Sequence, residues 1–442
     1  MTGAVWRRGP QAAAGIGAGT LVLGLGLLVG RADVALLGVA PLLAALWAGR
    51  PRARRTTAQP ALTTVTTVTI EPAGGPAAPG ELRATLHLDP PDEAELLHAR
   101  VYAPGHRPTG VVVAATPREL ALTLRTVRTG PQRTFHVDAR GYGAGGGTAE
   151  DPVSVTAPDR LVLPTALPLG RVPVPRRLRG LTGPHTSRRL GDGNELRDVH
   201  PFTPGDRLRR IDWRTTARRS PHLDTLYVRR TYATAEATAV LVVDSRDDVG
   251  PDLRTWRGTG PLRVDEPTSL DLARHAAASV ANALITGGDR VGVDDLGRRR
   301  RPLPPAAGRR HLRRVLHALA LSSPRGTPQR RLRAPQVPAD AIVYLFSTVL
   351  DDEPVELLRA WVAGGHPVVL VDTLPNVRGA REEHMRLAWR VTRAERDDRL
   401  RRAAAAGAPV VRWAGDARQD ATLRLEALVR AAERHRSGVG TR

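Results

Sequence analysis

The chain has 442 residues and carries 66 Lys+Arg, every one of them arginine, against 44 Asp+Glu, which gives a formal net charge of +22. It contains no cysteine, which excludes a disulfide framework, a thiolate nucleophile and a Cys-ligated metal centre. Aromatic residues make up only 3% of the chain, too few for the stacking surface of a single-strand nucleic-acid binder.

Two uncharged apolar runs lie near the start of the chain. Gln11 to Gly30 is 20 residues long, enough to cross about 30 Å of hydrocarbon as a helix. After a short link at Arg31–Asp33, Val34 to Gly49 forms a second, shorter run. Two such runs predict a transmembrane helical hairpin over residues 1–55, and a cleaved signal peptide is the alternative.

The arginines around these runs predict their orientation. Arg7 and Arg8 precede the first run, four arginines between positions 50 and 55 follow the second, and only Arg31 lies in the link. The positive-inside rule therefore places both flanks in the cytoplasm. We expect a multi-pass protein of the cell (plasma) membrane with residues 50–442 cytoplasmic, and arginine-rich flanks that meet anionic lipid.

Between residues 56 and 175 the pattern changes to short strand-like runs separated by Gly/Pro-rich turns. Seven runs with this punctuation predict an antiparallel, β-sandwich-like domain over 56–175. The predicted strands are Thr63–Ile70, Leu82–Leu88, Leu96–Tyr102, Gly110–Ala115, Ala121–Val127, Thr134–Ala139 and Val153–Leu163.

The segment 176–236 contains the most informative stretch, Gly191–Arg219, which reads GDGNELRDVHPFTPGDRLRRIDWRTTARR. Acidic and basic residues alternate along it, and this predicts an ion-pair network that fixes a long loop against a sheet. We expect Gly193 and Gly205 to supply backbone angles that are closed to other residues.

From Ala237 onward, apolar strands alternate with helices of 3.6-residue period, which predicts a doubly wound α/β sheet over 237–442. The predicted strands are Ala239–Val243, Arg290–Val293, Ala341–Phe346, Val368–Asp372 and Val410–Trp413. The predicted helices are Ser269–Thr286, Arg309–Leu321, Pro354–Ala363, Glu382–Ala406 and Asp420–His435.

The charged stretch closely resembles the signature of the bacterial family called domain of unknown function 58. Members have the run G-x-G-x-E-F…R-x-Y-x-x-G-D-x-x-R-x-I-D-W-x-x-x-A-R before a von Willebrand factor A-like domain. The matching positions are Gly191, Gly193, Glu195, Gly205, Asp206, Arg210, Ile211, Asp212, Trp213, Ala217 and Arg218. Leu196 stands where the family has Phe, and His200–Pro201–Phe202 stands in the place of Arg-x-Tyr.

This resemblance covers about 180–442 and implies a von Willebrand factor A-like doubly wound sheet, preceded by a transmembrane hairpin and a β-domain. It also implies a partner, a MoxR-type AAA+ ATPase, which is often encoded beside such proteins. We take the matching positions other than Ile211 and Ala217 as the candidate partner-binding face. We also expect the carboxyl edge of the parallel sheet, where Asp244–Asp248 and the loop after Phe346 converge, to be a working face of the α/β region.

A candidate metal site follows the first strand of the α/β region. Metal-binding A-type domains carry D-x-S-x-S there, whereas this chain has Asp244, with Arg246 and Asp248 replacing the two serines. Asp244, Asp248 and Asp351 could form a degenerate Mg²⁺ site of carboxylate oxygens. Because a guanidinium can pair with carboxylates in place of a cation, we expect Arg246 to neutralise this edge, with no metal or cofactor bound.

These observations predict a membrane-anchored, cytoplasmic protein-interaction module rather than an enzyme, working with a MoxR-type AAA+ ATPase in the assembly or remodelling of a complex. One alternative is a metal-dependent hydrolase at the Asp244/Asp248/Asp351 edge. The other is a membrane-tethered nucleic-acid binder, based on clusters such as Arg298–Arg301, since residues 290–340 hold 13 Arg against 3 Asp. No nucleic-acid-binding motif accompanies these clusters, so a nucleic-acid partner is not expected.

Overall fold

The structure, a computed structural model, describes residues 6–48, 66–73, 80–175, 178, 183–257, 263, 265–298, 301–324, 334–380, 382–414 and 417–438. The helices are α1 (Pro10–Leu28), α2 (Ala32–Ala48), α3 (Trp213–Arg219), α4 (Ser269–Thr286), α5 (Arg309–Ala320), α6 (Glu353–Ala363), α7 (Glu383–Ala405) and α8 (Ala417–Gly438).

The strands are β1 (Arg7–Arg8), β2 (Thr67–Pro72), β3 (Glu81–Asp89), β4 (Leu96–Tyr102), β5 (Thr109–Ala114), β6 (Arg118–Arg125), β7 (Gly130–Gln132), β8 (His136–Tyr142), β9 (Thr148–Ala149), β10 (Val153–Thr156), β11 (Arg160–Val162), β12 (His185–Pro201), β13 (Tyr227–Ala235), β14 (Thr238–Val243), β15 (Arg290–Asp295), β16 (Leu303–Ala306), β17 (Ile342–Ser347), β18 (Val368–Asp372) and β19 (Val410–Arg412).

The chain divides into two compact units. The first comprises Met1–Val127, Gln132–Arg160 and Arg263–Asp265, and the second comprises Arg128–Pro131, Leu161–Leu262 and Glu266–Arg442. Residues 49–65, which include the second basic flank and the start of the predicted strand Thr63–Ile70, lie outside the described residues.

The first unit opens with two apolar helices, α1 and α2, that pack against each other. A Cβ built on Gly26 would lie 2.3 Å from the backbone nitrogen of Ala35, and one on Gly38 would lie 2.5 Å from the carbonyl oxygen of Gly19. Small residues of this kind let apolar helices approach closely. Of the two predicted spans, α1 is long and apolar enough to cross a membrane, whereas α2 is a shorter apolar helix.

Two antiparallel sheets form the rest of the first unit. One has the order β2-β3-β6, and the other has the order β1-β9-β8-β4-β5 with β10 paired to β8. Ile70 and Leu86 of the first sheet share one buried cluster with Leu97 and Val137 of the second. Two sheets that enclose a common apolar core form a β-sandwich-like arrangement, as the short runs and Gly/Pro-rich turns predict.

The second unit is built on a six-stranded sheet with the order β16-β15-β14-β17-β18-β19. Five strands are parallel, and β16 runs antiparallel to β15 at the edge. The order reverses between β14 and β17, so the carboxyl ends of these strands flank the crevice where doubly wound sheets bind ligands. The alternation of strands and helices therefore predicts the α/β class correctly.

The central strand β14 is covered on both faces. Leu241 and Val243 belong to the core that includes residues of α4, α5 and α8. Val240 and Val242 belong to the core on the other face, which includes residues of α6 and α7. A continuous apolar run is the pattern that a strand buried on both faces requires.

The sequence pattern does not predict two of the observed features. β16 contains Pro304 and Pro305, and proline removes a backbone donor and so obscures a strand, although an edge strand tolerates it. β12 and β13 pair as an antiparallel ribbon in part of the segment where we expect a long loop.

An extended segment after β11 belongs to the second unit and packs on its sheet. Val172 is buried in the same core as Leu241, and the backbone nitrogen of Leu167 donates to Ser279 Oγ at 2.9 Å. The Tyr344 hydroxyl donates to the Pro173 carbonyl at 2.5 Å. Residues within 56–175 thus contribute to the core of the α/β unit as well as to the β-sandwich-like region.

Replacing Leu241 by alanine is expected to destabilise the second unit by about 2–5 kcal/mol, because a fully buried side chain is lost and a cavity remains. Urea denaturation of the full chain in neutral detergent, followed by tryptophan fluorescence, measures the change. The matched control is Leu423→Ala in α8, where the leucine is 59% exposed. An equal loss in both variants would contradict the placement of Leu241 in the core.

Candidate functional site

The first half of the charged signature segment folds as a β-ribbon, so the expectation of one long loop is wrong there. β12 and β13 pair from His185 opposite Ala235 to Pro201 opposite Tyr227. Residues 202–226 connect the two strands and include α3. The sequence of β12 consists mainly of polar and small residues. It therefore lacks the alternation of apolar and polar residues by which a half-buried strand is recognised.

The root of the ribbon is held at the amino edge of the parallel sheet. Asp289, which directly precedes β15, accepts a hydrogen bond from the backbone nitrogen of Ala237 at 2.9 Å. His185 Nε2 lies 2.9 Å from the same carboxylate. Because Ala237 directly precedes β14, this contact joins the root to the ends at which both parallel strands begin. The ribbon and the carboxyl-edge crevice are therefore at different ends of the sheet.

A wide bulge interrupts β12. Gly191 and Leu196 both pair with Thr231, so residues 192–195 are extra on this strand. A Cβ on Gly191 would lie 2.3 Å from the Cβ of Ala233. Only glycine therefore allows the two strands to approach at the point where the bulge begins.

The other two signature glycines have different roles. A Cβ on Gly193 would lie 2.3 Å from the carbonyl oxygen of Tyr232, so Gly193 permits close approach. It is not among the glycines with positive φ, contrary to our expectation, whereas Gly205 has φ of +102° as expected.

The carboxylate of Asp192, which lies on the bulge, pairs with arginines of the connection. Its carboxylate accepts from Arg207 Nη1 at 2.7 Å and also pairs with Arg210. Arg210 donates a further bond to the Gly191 carbonyl at 2.9 Å. The hydrogen bond from Arg207 holds the pKa of the Asp192 carboxyl below its ordinary value. Sequence reasoning predicts an ion-pair network here but does not single out Asp192, whose signal is its place between two glycines.

Asp206 and Asp212 fold the connection. Asp206 accepts from the backbone nitrogen and the hydroxyl of Thr203, at 2.9 and 2.8 Å, and so closes the turn that contains Gly205. Asp212 caps α3 by accepting from the backbone nitrogen of Thr215 at 3.0 Å, as acidic residues commonly do at a helix start. These backbone hydrogen bonds lower the pKa of both carboxyls.

The folded connection exposes large apolar side chains. Leu208 is 69% exposed, Trp213 62% and Leu223 57%. Two other signature residues, Glu195 and Arg218, are also exposed. The signature glycines and aspartates thus shape the ribbon, while Trp213 lies on its surface.

At the carboxyl edge, the guanidinium of Arg246 lies between the ends of β14 and β17. It donates to Asp244 at 2.8 and 2.9 Å, to Asp351 at 2.9 and 3.0 Å, and to Glu353 at 2.6 Å. The Arg246 side chain is 4% exposed. Burial disfavours its charge, but the hydrogen bonds and charges of Asp244 and Asp351 outweigh burial and raise the pKa of Arg246.

The third candidate ligand, Asp248, is not part of this cluster. It lies 3.3 Å from Arg128 and accepts from the backbone nitrogen of Leu270 at 3.4 Å. Burial, and then the charge of Asp271, raises the pKa of its carboxyl. The structure therefore brings Asp244 and Asp351 together but not Asp248. No group of three or more His, Cys, Asp or Glu side chains that could hold a metal ion occurs in the described part of the chain.

A second buried charge cluster, absent from the sequence-based predictions, lies at the start of α4. Asp271 accepts from the backbone nitrogen and hydroxyl of Thr268 at 3.0 and 2.8 Å, and from those of Thr129 at 2.6 and 2.7 Å. Arg128 and Arg274 lie 2.5 and 3.3 Å from its carboxylate. Burial alone would raise the pKa of Asp271, but the charges of Arg128 and Arg274, with these hydrogen bonds, hold it below its ordinary value.

A third buried pair lies at the end of β18. Arg396 of α7 donates to the Thr348 carbonyl at 2.7 Å and pairs with the Asp372 carboxylate. The side chains of Arg396 and Asp372 are only 9% and 6% exposed. Sequence reasoning could place Asp372 at a strand end, but the distance of 24 residues between the two partners carries no local signal for their pairing.

Comparison with known proteins gives one family match. Residues 198–405 match the model of a family described as Protein of unknown function DUF58. The match supports a relationship of the chain to the DUF58 family over these residues. It begins inside β12 and ends with α7, so it includes Asp206, Asp212 and the Arg246 cluster. No curated protein and no solved structure matches the chain.

Replacing Arg246 by serine is expected to destabilise the fold by roughly 3–5 kcal/mol, because Asp244, Asp351 and Glu353 lose their shared cation. Mg²⁺ or Mn²⁺ should recover part of this loss in the variant by binding the freed carboxylates, while the Tm of the unmodified chain stays constant. Thermal unfolding of the full chain with and without each metal measures the effect.

The matched control for that experiment is Arg402→Ser, which removes an exposed pair with Asp352 and should cost at most about 1 kcal/mol. Its Tm should not respond to metal. A metal-dependent rise in Tm for the unmodified chain would contradict the role assigned to Arg246.

Stability should also depend on Asp247. Burial, followed by the charges of Asp244 and Asp351, raises the pKa of the Asp247 carboxyl from 3.8 to about 6. The folded state then holds this proton more tightly than the unfolded chain, so stability falls as the pH rises through this window. Asp247→Asn is expected to gain on the order of 1–3 kcal/mol at pH 7 and nothing below the unfolded pKa, measured by urea denaturation at a series of pH values.

Asp352→Asn is a control for which we expect the opposite change in stability with pH. The hydrogen bond from Arg402 lowers the pKa of the Asp352 carboxyl, so this variant should lose stability at neutral pH and lose nothing once the pH is below that lowered pKa. Parallel pH profiles for the two variants would contradict the assigned environments.

Proposed function

We propose that the protein is a membrane-anchored, cytoplasmic interaction module that works with a MoxR-type AAA+ ATPase in the assembly or remodelling of a complex. Its docking surface is the ribbon connection, residues 202–226. The observation that carries this proposal is the exposure of Leu208 and Trp213, 69% and 62%, on a connection held by the carboxylates of Asp192, Asp206 and Asp212. Exposed apolar side chains on a preorganised surface are typical of protein interaction sites.

The apolar helices support the membrane anchor. α1 has the length and composition of a span, and the hairpin exposes large apolar side chains, including Leu28 at 87% and Leu37 at 71%. Such exposure is costly in water and favourable in lipid. The proposed topology has two spans, with residues 50–442 on the cytoplasmic side.

The sheet supports a von Willebrand factor A-like assignment of the α/β region. One antiparallel edge strand, β16, beside a parallel doubly wound sheet is compatible with the architecture that the signature resemblance implies. Fold by itself does not determine function, so the proposal depends on the residues at the sheet edge and on the ribbon.

The carboxylates at the carboxyl edge of the sheet do not favour the metal-dependent hydrolase alternative. Asp244, Asp351 and Glu353 are all engaged by Arg246, so these three carboxylates have a cation already and are poorly suited to hold Mg²⁺. Asp248 pairs with Arg128 instead. The hydrolase alternative needs Asp244, Asp248 and Asp351 to act on one metal ion, and no observation favours it.

Charge on the connection indicates the chemistry of the partner. Arg209, Arg214 and Arg218 are exposed there, beside Leu208 and Trp213. Aromatic and arginine side chains together are enriched at binding hot spots. We therefore propose that the partner offers an apolar pocket surrounded by acidic residues.

Binding of a purified MoxR-type ATPase encoded in the same genome tests the proposal. The full chain is immobilised in neutral-lipid nanodiscs, and the ATPase is titrated with and without ATP and Mg²⁺. We expect saturable binding that changes with nucleotide. The double variant Leu208→Ala/Trp213→Ala should weaken it by about tenfold or more, since loss of a hot-spot side chain costs at least about 2 kcal/mol.

The matched control is Leu387→Ala/Leu423→Ala, because these leucines are 58% and 59% exposed on other helices. Equal Tm values for the two double variants would show that folding is preserved. Unchanged affinity of the connection variant, or an equal loss in the control, would contradict the docking surface.

A further inference from the structure

A basic groove of about 1120 Å³ lies between the β15–β16 edge and α5. Arg298 and Arg301 line it on the strand side, and Arg310, Arg313, Arg314 and His317 line it on the helix side. It is separate from the ribbon connection and from the Arg246 cluster, and nothing in the proposed docking function uses it.

The helix that forms one wall is firmly attached to the sheet. Val315 and Leu319 are fully buried, and His311 Nε2 lies 2.7 Å from the Val291 carbonyl. Arg310, Arg313 and Arg314 are exposed on the other face of this amphipathic helix. The helix is therefore held in place, and its arginines lie on one side of the groove.

Four of the five arginines that line the groove have no carboxylate partner in the part of the chain that the structure describes. Arg301, Arg310, Arg313 and Arg314 have no ion-pair partner within the described ranges of the chain. The sequence from 296 to 339 contains twelve arginines and no acidic residue. Uncompensated cations held near one another repel, so an anionic ligand would be strongly favoured.

The two aspartates of the lining accept hydrogen bonds from neighbouring groups. Asp295 accepts from Ser245 Oγ at 2.5 Å and from the Gly297 backbone nitrogen at 3.0 Å. Asp294 accepts from the Asp295 backbone nitrogen at 2.7 Å. The lining therefore holds five arginines against two aspartates, which leaves an excess of positive charge.

We propose that this groove binds a ligand that carries several adjacent phosphate groups. Arginine offers a planar pair of donors that matches phosphate oxygens, and arginines on two facing walls can grip a chain of phosphates from both sides. A flat bilayer surface would reach one wall only. No Phe, Tyr or Trp occurs among the lining residues that the structure describes, so the stacking that single-stranded nucleic acid uses is absent there.

Sodium tripolyphosphate is a direct probe. Isothermal titration of the full chain in neutral-lipid nanodiscs should give saturable binding at one site, with orthophosphate binding much more weakly. The variant Arg310→Gln/Arg314→Gln should weaken tripolyphosphate binding by about tenfold or more, because two charge-assisted hydrogen-bonding groups are lost.

The matched control is Arg386→Gln/Arg390→Gln on α7, which removes two exposed arginines at the same helical spacing. Unchanged affinity in the control, with a loss in the groove variant, supports the proposal. Equal losses in both variants would reduce the binding to overall charge, and the absence of a saturable isotherm would overturn the site outright.

Two competition arms distinguish other sources of anionic groups. If nanodiscs that contain anionic lipid abolish tripolyphosphate binding through Arg310 and Arg314, the groove contacts the membrane surface and the proposal is wrong. If a single-stranded oligonucleotide binds more tightly than tripolyphosphate and is sensitive to the same variant, the surface binds nucleic acid, which also overturns it. Tripolyphosphate affinity that is unaffected by anionic lipid and greater than that of the oligonucleotide supports it.

Discussion

The arrangement of the carboxyl edge depends on one buried guanidinium. Arg246 follows the central strand β14 and holds Asp244, Asp351 and Glu353 around a single positive charge. Without it, the buried carboxylates of Asp244 and Glu353 would lie beside the half-exposed Asp351 with no cation between them, which is strongly unfavourable. A planar guanidinium suits this geometry because its N–H groups can donate to carboxylates on more than one side at once. The loops after β14 and β17 are thus held together by an arginine of the chain itself.

Buried arginine–carboxylate pairs also occur elsewhere in the second unit. Arg396 pairs with Asp372 at the end of β18, and Arg128 and Arg274 enclose Asp271 at the start of α4. Each arginine combines a carboxylate contact with a backbone or side-chain hydrogen bond, so the buried charges are both paired and bonded. In a chain whose cations are all arginine, charge compensation and hydrogen bonding can come from the same side chain.

These internal pairs separate structural arginines from available ones. Arg246 at the carboxyl edge is paired with carboxylates, and Arg207 and Arg210 of the ribbon connection are paired with Asp192. The arginines of α5 instead face a groove, and Arg214 and Arg218 of the connection are exposed beside apolar side chains. The two proposed binding surfaces therefore differ in chemistry. Docking at the connection depends on Leu208 and Trp213, and phosphate binding depends on Arg310 and Arg314, so variants of one surface leave the other intact.

The sequence by itself determined the class of each region. Period-2 runs with Gly/Pro turns predict the antiparallel sheets, and apolar strands alternating with amphipathic helices predict the doubly wound sheet, because both patterns are local consequences of which faces are buried. β4 (Leu96–Tyr102), β18 (Val368–Asp372) and α4 (Ser269–Thr286) occur with their predicted bounds. The place of Arg246, two residues after Asp244 and two before Asp248, likewise predicts a guanidinium beside carboxylates.

Only the tertiary structure decided which charges meet. Asp248 is four residues from Asp244, yet it pairs with Arg128, because the chain turns toward α4 after β14. Asp192 became the centre of the signature network through a bulge that no local pattern reveals, and β12 paired with β13 although it lacks apolar alternation. Ion pairs between distant residues depend on strand order and loop path, and these are set by packing of the whole unit rather than by any short segment of sequence.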